Sequence, residues 1–238
     1  MLDLSNFISP KEQLRMKQEV VEDTLALAYP IAALEYADGI LIFAENPSTS
    51  LQKTSELYDR IAFAGTGVFN DYERLRKAGV QLADVKGFQY SRADVKARSI
   101  ASEYSTVLGD IFTRQQVPLE VEILVAEIGD APADNRMYFI PFSGGLIEEQ
   151  GLSVVGDYVT EEGEIRKGRI RQLLKQADPP PDISLADGAA LCRSAIGQVR
   201  NQGDLPADHI ELVVLDRSVD AERKFRRLGK EEITALLG

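Results

Sequence analysis

Apolar and polar residues change period several times along this chain, and each change marks an element. Leu14, Val20, Val21 and Leu25 recur at helical spacing behind Ser9-Pro10-Lys11-Glu12. A serine, a proline in the first turn and a glutamate three residues after the serine form a capping box, which predicts a helix over 9–28. Ile31–Tyr36 and residues 40–45 are short apolar runs joined by Ala37-Asp38-Gly39. An Asp-Gly pair between two such runs marks a β-hairpin. Residues 61–64 read as a third strand, ending at Gly65-Thr66-Gly67 and followed by a helix over 69–86. Ser91-Arg92-Ala93-Asp94 repeats the capping pattern and predicts a long helix over 93–116, stopped by Pro118.

Residues 120–128 alternate and are rich in β-branched side chains, the pattern of a strand, with 136–142 as its hairpin partner. Short strands are expected at 144–147 and 153–155. Helices follow over 163–176 and 184–202, separated by Pro179-Pro180-Pro181; 210–215 and 223–227 form a last strand pair, and 230–237 a terminal helix. Strands come in hairpins and do not alternate with helices, so the sheets are antiparallel. The expected class is α+β: a four-layer αββα sandwich with an extra N-terminal helix, one domain over residues 1–238.

Charge narrows the function. Asp plus Glu number 38 against 27 for Lys plus Arg, a net charge of −11. A nucleic-acid partner demands clustered cations, so it is not expected. One cysteine and one histidine exclude a disulfide framework and a zinc site. No run of 18 apolar residues and no signal-peptide pattern is present, which predicts a cytoplasmic protein without a membrane span.

Searches for catalytic chemistry return little. Gly65-Thr66-Gly67 before a helix lacks the third glycine of a dinucleotide fingerprint, since Asn70 stands there. Two glycines serve a sharp strand-to-helix turn. Ser143-Gly144-Gly145 lacks the glycine two residues ahead that a nucleophile elbow needs. His209, at the start of a strand, has no evident nucleophile to activate, and Cys192 falls on an apolar helix face. Glu148-Glu149 and Glu161-Glu162-Gly163-Glu164 lack calcium-loop spacing and are expected in solvated loops. No cofactor, metal or catalytic residue is expected.

One stretch is more specific: Glu45-Asn46-Pro47-Ser48-Thr49-Ser50-Leu51-Gln52-Lys53-Thr54-Ser55-Glu56-Leu57-Tyr58-Asp59-Arg60. It resembles the corresponding segment of the bacterial, actinobacterial-type 20S proteasome α-subunit. The resemblance continues through residues 69–81, Glu120-Val121-Glu122 and Val125-Ala126-Glu127, and starts at Ile8-Ser9-Pro10. It spans about residues 7–128, with 210–215 and 225–227 matching beyond; 157–182 does not match. The family's fold is the αββα sandwich of N-terminal-nucleophile hydrolases, and its long C-terminal tail has no counterpart before Gly238.

The resemblance implies a non-catalytic subunit that builds the outer seven-membered rings of a four-ring barrel, with β-subunits carrying proteolysis. The residues agree. An active subunit exposes a threonine at its first strand, with its α-amine and a lysine as activators. Here Tyr29-Pro30-Ile31 opens that strand behind a helix, and 61–64 offers no lysine. The N-terminal helix and 69–86 are expected to make ring contacts. Residues 1–8 are expected to be a flexible gating segment, with Pro10 fixing the turn into the helix. Lys53 matches the lysine that pairs with the C-terminal carboxylate of a ring-shaped ATPase activator, and Gly67 and Val68 match neighbouring pocket positions. Two alternatives stay open: an active self-compartmentalising hydrolase of this fold, and a ring scaffold without proteolysis.

Overall fold

The first hairpin is buried on both faces, which is why its strands read as apolar runs broken only by Glu35 and ended by Glu45. In the computed structural model, which describes residues 9–200 and 203–238, Ile31–Tyr36 (β1) pairs antiparallel with Gly39–Glu45 (β2), Tyr36 opposite Gly39. Ile31, Ala33, Ile40 and Ile42 point one way, into a core between two sheets, and Ala32, Leu34, Leu41 and Phe43 point the other, into a core beneath helices. A strand alternates its side chains between faces, so a strand covered on both must be apolar throughout.

Thr54–Tyr58 (β3) and Ile61–Gly67 (β4) form a second hairpin; Phe69–Gln89 (α2) and Ala97–Arg114 (α3) follow. Val121–Glu127 (β5), Arg136–Ile140 (β6), Ile147–Glu149 (β7) and Leu152–Val155 (β8) come next, then a small hairpin, Tyr158–Glu161 (β9) and Glu164–Lys167 (β10). Arg169–Ala177 (α4), Leu185–Val199 (α5), Ile210–Asp216 (β11), Phe225–Arg227 (β12) and Lys230–Leu237 (α6) complete the described residues, behind the N-terminal helix Pro10–Leu27 (α1). The sheets run β12-β11-β2-β1-β8 and β3-β4-β5-β6-β7, all pairings antiparallel.

Three cores define four layers. Ala62, Ala64, Leu124 and Ala126 meet Ile31, Ile42 and Val213 between the sheets. Phe63, Ile123 and Val125 face Leu75, Ile100 and Leu108 of α2 and α3. Phe43, Leu212 and Val214 face Leu174, Cys192, Ile196 and Ile233 of α4, α5 and α6. The chain is an αββα sandwich of the α+β class. Val21 and Leu25 of α1 pack on Phe112, Phe142 and Tyr158 at one end of it. No helix among the described residues is long and apolar enough to cross a membrane.

Several elements differ from the sequence expectation. The strand at 61–64 is the fourth; Thr54–Tyr58 precedes it, an edge strand whose polar Ser55 and Glu56 hide its pattern. Ser91 makes no side-chain cap; Arg92–Asp94 is a 3-10 turn, and α3 starts at Ala97, whose N–H donates to the Glu127 carboxylate at 2.8 Å. The cap comes from across the fold. The expected helix at 163–176 begins at Arg169, because Glu162 and Gly163 sit at φ 52° and 80° in the β9–β10 turn. Likewise 144–147 is not a strand; β7 begins at Ile147, and Gly144, at φ 85°, backs onto Gly109. The expected helix end at 202 and the gating segment 1–8 lie outside the described residues.

Candidate functional site

The 45–54 loop is stapled by its own side chains. Asn46 Oδ1 accepts from the Ser48 N–H at 3.1 Å, and Ser48 Oγ from the N–H groups of Ser50 at 3.3 Å and Leu51 at 3.0 Å. These are turns closed by short polar side chains, the reason Asn and Ser stand at these positions. Asn46 Nδ2 donates to Leu51 O at 2.8 Å and to Glu211 Oε2 at 2.7 Å. The loop is thereby tied to β11 in the other half of the hairpin system.

Lys53 emerges from this loop only 6% exposed. Its ammonium donates to the carbonyl of Tyr29, one residue ahead of Pro30 and β1, and lies 3.4 Å from Glu45 O. Thr66 Oγ1 donates to the same Tyr29 carbonyl at 2.6 Å. Glu45, 1% exposed, pairs with Arg200 at 3.3 Å, and the Arg200 guanidinium stacks over the Tyr29 ring with 5.0 Å to its centroid. Glu211 pairs with Arg227. Among the described residues, three buried or half-buried cations (Lys53, Arg200, Arg227) therefore face two carboxylates (Glu45, Glu211). Burial pushes the Lys53 ammonium down to about 7, against the upward pull of Glu211 and Glu45 and with Arg200 adding to the fall. Burial also raises the Glu45 carboxyl, opposed by Arg200, Lys53 and His209.

A cleft of about 320 Å³ opens over Lys53 between the end of α1, the 46–51 loop and the β4–α2 turn. Leu27, Tyr29, Leu51, Lys53, Gly67 and Phe69 line it. Gly67 holds φ at +106°, and a Cβ there would sit 2.0 Å from the Glu120 carbonyl oxygen, so only glycine fits this turn without strain. Val68 stands between the lining residues Gly67 and Phe69; its N–H donates to Glu120 O at 2.9 Å, and its side chain is 37% exposed. The fold thus brings Lys53 and Gly67 into one cleft, whose lining does not include Val68. Pro10 is elsewhere, at the first position of α1, where Ser9 Oγ accepts from the Glu12 N–H at 3.2 Å.

The cleft's chemistry suits an anion with an apolar neighbour: a fixed cation below, Leu27, Leu51 and Phe69 around it. Sequence reading missed Glu211, Arg200, Asn46 and Tyr29. A glutamate inside the apolar run 210–215 was the available signal for Glu211, since a charge in a doubly covered strand must have partners.

Other singled-out residues are accounted for by packing. The Cys192 thiol is fully buried and pushed up to about 12 by that burial. His209 closes a 3-10 turn ahead of β11, not the strand itself, and its carbonyl accepts from the Asn46 N–H at 2.7 Å. Glu149 and Glu161 end short strands and are not loop residues; Glu149 pairs with Arg171 and Glu161 with Arg169. Among the described residues no group of His, Cys, Asp and Glu could hold a metal ion.

No family model matches the chain. It is 37% identical over 235 residues to the proteasome subunit alpha of an Arthrobacter species, covering 97% of this chain and 96% of the relative. It is 38% identical over 234 residues to that of a Nocardioides species, covering 98% and 88%. Against Streptomyces coelicolor the identity is 37% over 234 residues, with 97% and 89% covered. These alignments run well beyond residues 7–128, where the quoted motifs cluster.

Proposed function

We propose that this chain, which belongs to the proteasome α-subunit family, forms the outer seven-membered rings of a 20S core particle in the cytoplasm, where it admits substrates and docks an activator. Lys53 at the floor of the 320 Å³ cleft carries the docking part. A carboxylate entering a crevice gives up hydration and needs a fixed cation in return. In a chain of net charge −11, a buried cluster with more cations than carboxylates is a selective place for one. The natural occupant is the C-terminal carboxylate of a ring-shaped ATPase, with Gly67 and Val68 as the neighbouring positions beside the tail and an adjacent subunit closing the other side.

The rings would stack on β-subunits that carry out proteolysis, and α1 and α2 would make contacts between ring neighbours. The reading of this chain as non-catalytic is supported by the start of β1. Tyr29 and Pro30 stand directly ahead of β1, where an active subunit would carry its threonine, and neither supplies that nucleophile. Thr24 is held within α1, its hydroxyl bonded to Glu120. Residues 1–8 act as the gate, with Pro10 setting the turn from which they depart.

Lys53→Ala tests the reading. Rings should still assemble with β-subunits, judged by native mass, while ATPase-dependent degradation of a folded, tagged substrate is lost. Degradation at the wild-type rate would remove Lys53 from the docking site.

A further inference from the structure

The carboxylate of Glu211, 9% exposed on β11, gathers an unusual set of donors from the segment that carries the pocket lysine. Oε2 accepts from the Lys53 N–H at 3.0 Å and from Asn46 Nδ2 at 2.7 Å. Oε1 accepts from the Thr54 N–H at 3.0 Å, from the Thr54 hydroxyl and from the Arg227 guanidinium. Arg227 completes the clamp by donating to the Thr54 carbonyl at 2.7 Å. One side chain on the opposite sheet therefore fixes consecutive backbone N–H groups at Lys53 and Thr54, where the loop turns into β3.

We propose that Glu211 is the positioning residue of the docking pocket, clamping the backbone at Lys53 and Thr54 so that the lysine side chain reaches the cleft, and setting a negative charge beside its ammonium. The inference rests on the reading of the cleft as a carboxylate-docking site. Both parts have a physical basis. Two bonds from one carboxylate fix where the Lys53 side chain leaves the backbone, and from that start its ammonium reaches the Tyr29 and Glu45 carbonyls that hold it in place before a ligand arrives. Burial strips water from the Lys53 ammonium and favours the neutral amine; among the described residues the carboxylates of Glu211 and Glu45 oppose this, Glu211 the more strongly. Thr54 and Lys53 donations, with Arg227, overcome the cost of burying Glu211 and hold its carboxyl below the ordinary glutamate range, so the charge is present throughout the neutral range. The remaining groups around the lysine are Glu45 on β2, Arg200 at the end of α5, the rings of Tyr29 and Tyr72, and His209 beyond Glu45.

The test is binding of a fluorescein-labelled octapeptide, with a tyrosine near its end and a free C-terminal carboxylate, to assembled rings from pH 6 to 9. Glu211→Gln keeps the shape and removes the charge. It should lower the midpoint of the pH profile by about one unit, so that affinity falls about tenfold at pH 8 but only about twofold at pH 6. Glu211→Asp keeps the charge and withdraws the carboxylate by one methylene; it should hold the wild-type midpoint with weaker binding at every pH. An unmoved midpoint in Glu211→Gln overturns the inference. Should that variant not assemble, wild-type affinity in Glu211→Asp overturns it instead. The two readings separate through Lys53→Ala: if that variant binds the peptide normally, the docking reading itself fails, whereas loss of binding there with a wild-type Glu211→Gln profile sinks only the role of Glu211.

Discussion

Docking of a carboxylate on Lys53 should take up a proton, and its strength should fall as pH rises through neutrality. With burial holding the ammonium at about 7, the lysine is largely charged at pH 6 and largely neutral at pH 8 before a tail arrives. A carboxylate at hydrogen-bond distance restores the preference for the charged form, moving the amine back toward its ordinary ~10.4. Binding at pH 6 then needs no proton. At pH 8 only about one site in eleven is protonated beforehand, a cost of about 1.4 kcal/mol, or tenfold in Kd; at pH 9 the cost is about 2.7 kcal/mol, or a hundredfold. Calorimetric titration of assembled rings with the octapeptide, repeated in buffers of different ionisation heat, measures both quantities. Proton uptake should rise from near zero at pH 6 to near one at pH 9. The peptide amidated at its C-terminus should show weak binding without this profile, and His209→Gln should leave the profile unmoved. A Kd constant from pH 6 to 9, with binding still lost in Lys53→Ala, would refute the reasoning, because it would mean that the lysine stays charged despite its burial.

Two further outcomes concern Gly67 in the cleft and Glu122, a buried carboxyl outside its lining. Gly67→Ala places a Cβ against the Glu120 carbonyl at a positive φ, which should destabilise the chain by about 2–4 kcal/mol; a melting temperature equal to wild type would show that the strand-to-helix turn relaxes without strain. Glu122, 3% exposed, accepts from the Gly156 N–H at 2.8 Å and the Tyr158 hydroxyl at 2.7 Å, yet burial raises its carboxyl to about 6. The native carboxyl thus holds its proton more tightly than the unfolded one, so ionisation removes stability as pH climbs from about 4.5 to 6, by about 2 kcal/mol once complete. Glu122→Gln should remove that slope and raise stability at pH 7 relative to pH 5 in urea unfolding; a slope identical to wild type would assign it to other groups.

How much of the fold could be read from the sequence depended on whether an element's partners were local. The β1–β2 hairpin was legible because Asp38-Gly39 and two doubly buried runs are decided within the segment itself. The same holds for α1 and for α5, whose caps, Ser9 and Ser184, bond to Glu12 and Asp187 a turn later. The start of α3 was misplaced because its first N–H is capped by Glu127, 30 residues on. β3 was missed because an edge strand pairs on one side only, and Ser55, Glu56 and Tyr58 are left half-buried, without the apolar run that marked its neighbours. At 163–168 the sequence predicts a helix already under way, whereas Glu162 and Gly163 adopt the left-handed conformations of a tight hairpin and the helix begins only at Arg169.

The candidate site divides along the same line, and the division explains why its motif is so specific. Within 45–54, Asn46, Ser48 and Thr54 shape the loop and tie it down, while Glu45 and Lys53 supply charge. What the segment cannot contain is the set of partners that make Lys53 useful: Tyr29 at the entry to β1, Arg200 at the end of α5, and Glu211 and Arg227 on the far strands. A lysine buried alone in an apolar cleft would lose its proton, and one exposed on the surface would be screened and mobile. Between those limits the fold sets a cation near its point of neutrality, braced by one carboxylate from each of two neighbouring strands, β2 and β11. A site so placed responds strongly to a single added negative charge, because that charge both meets the cation and restores its proton. On the docking proposal, selectivity for a terminal carboxylate over the many acidic side chains of a protein surface would come from depth. Lys53 is buried at a cleft that Leu27, Leu51 and Phe69 also line, and a chain end is the anion that a flexible tail would deliver there.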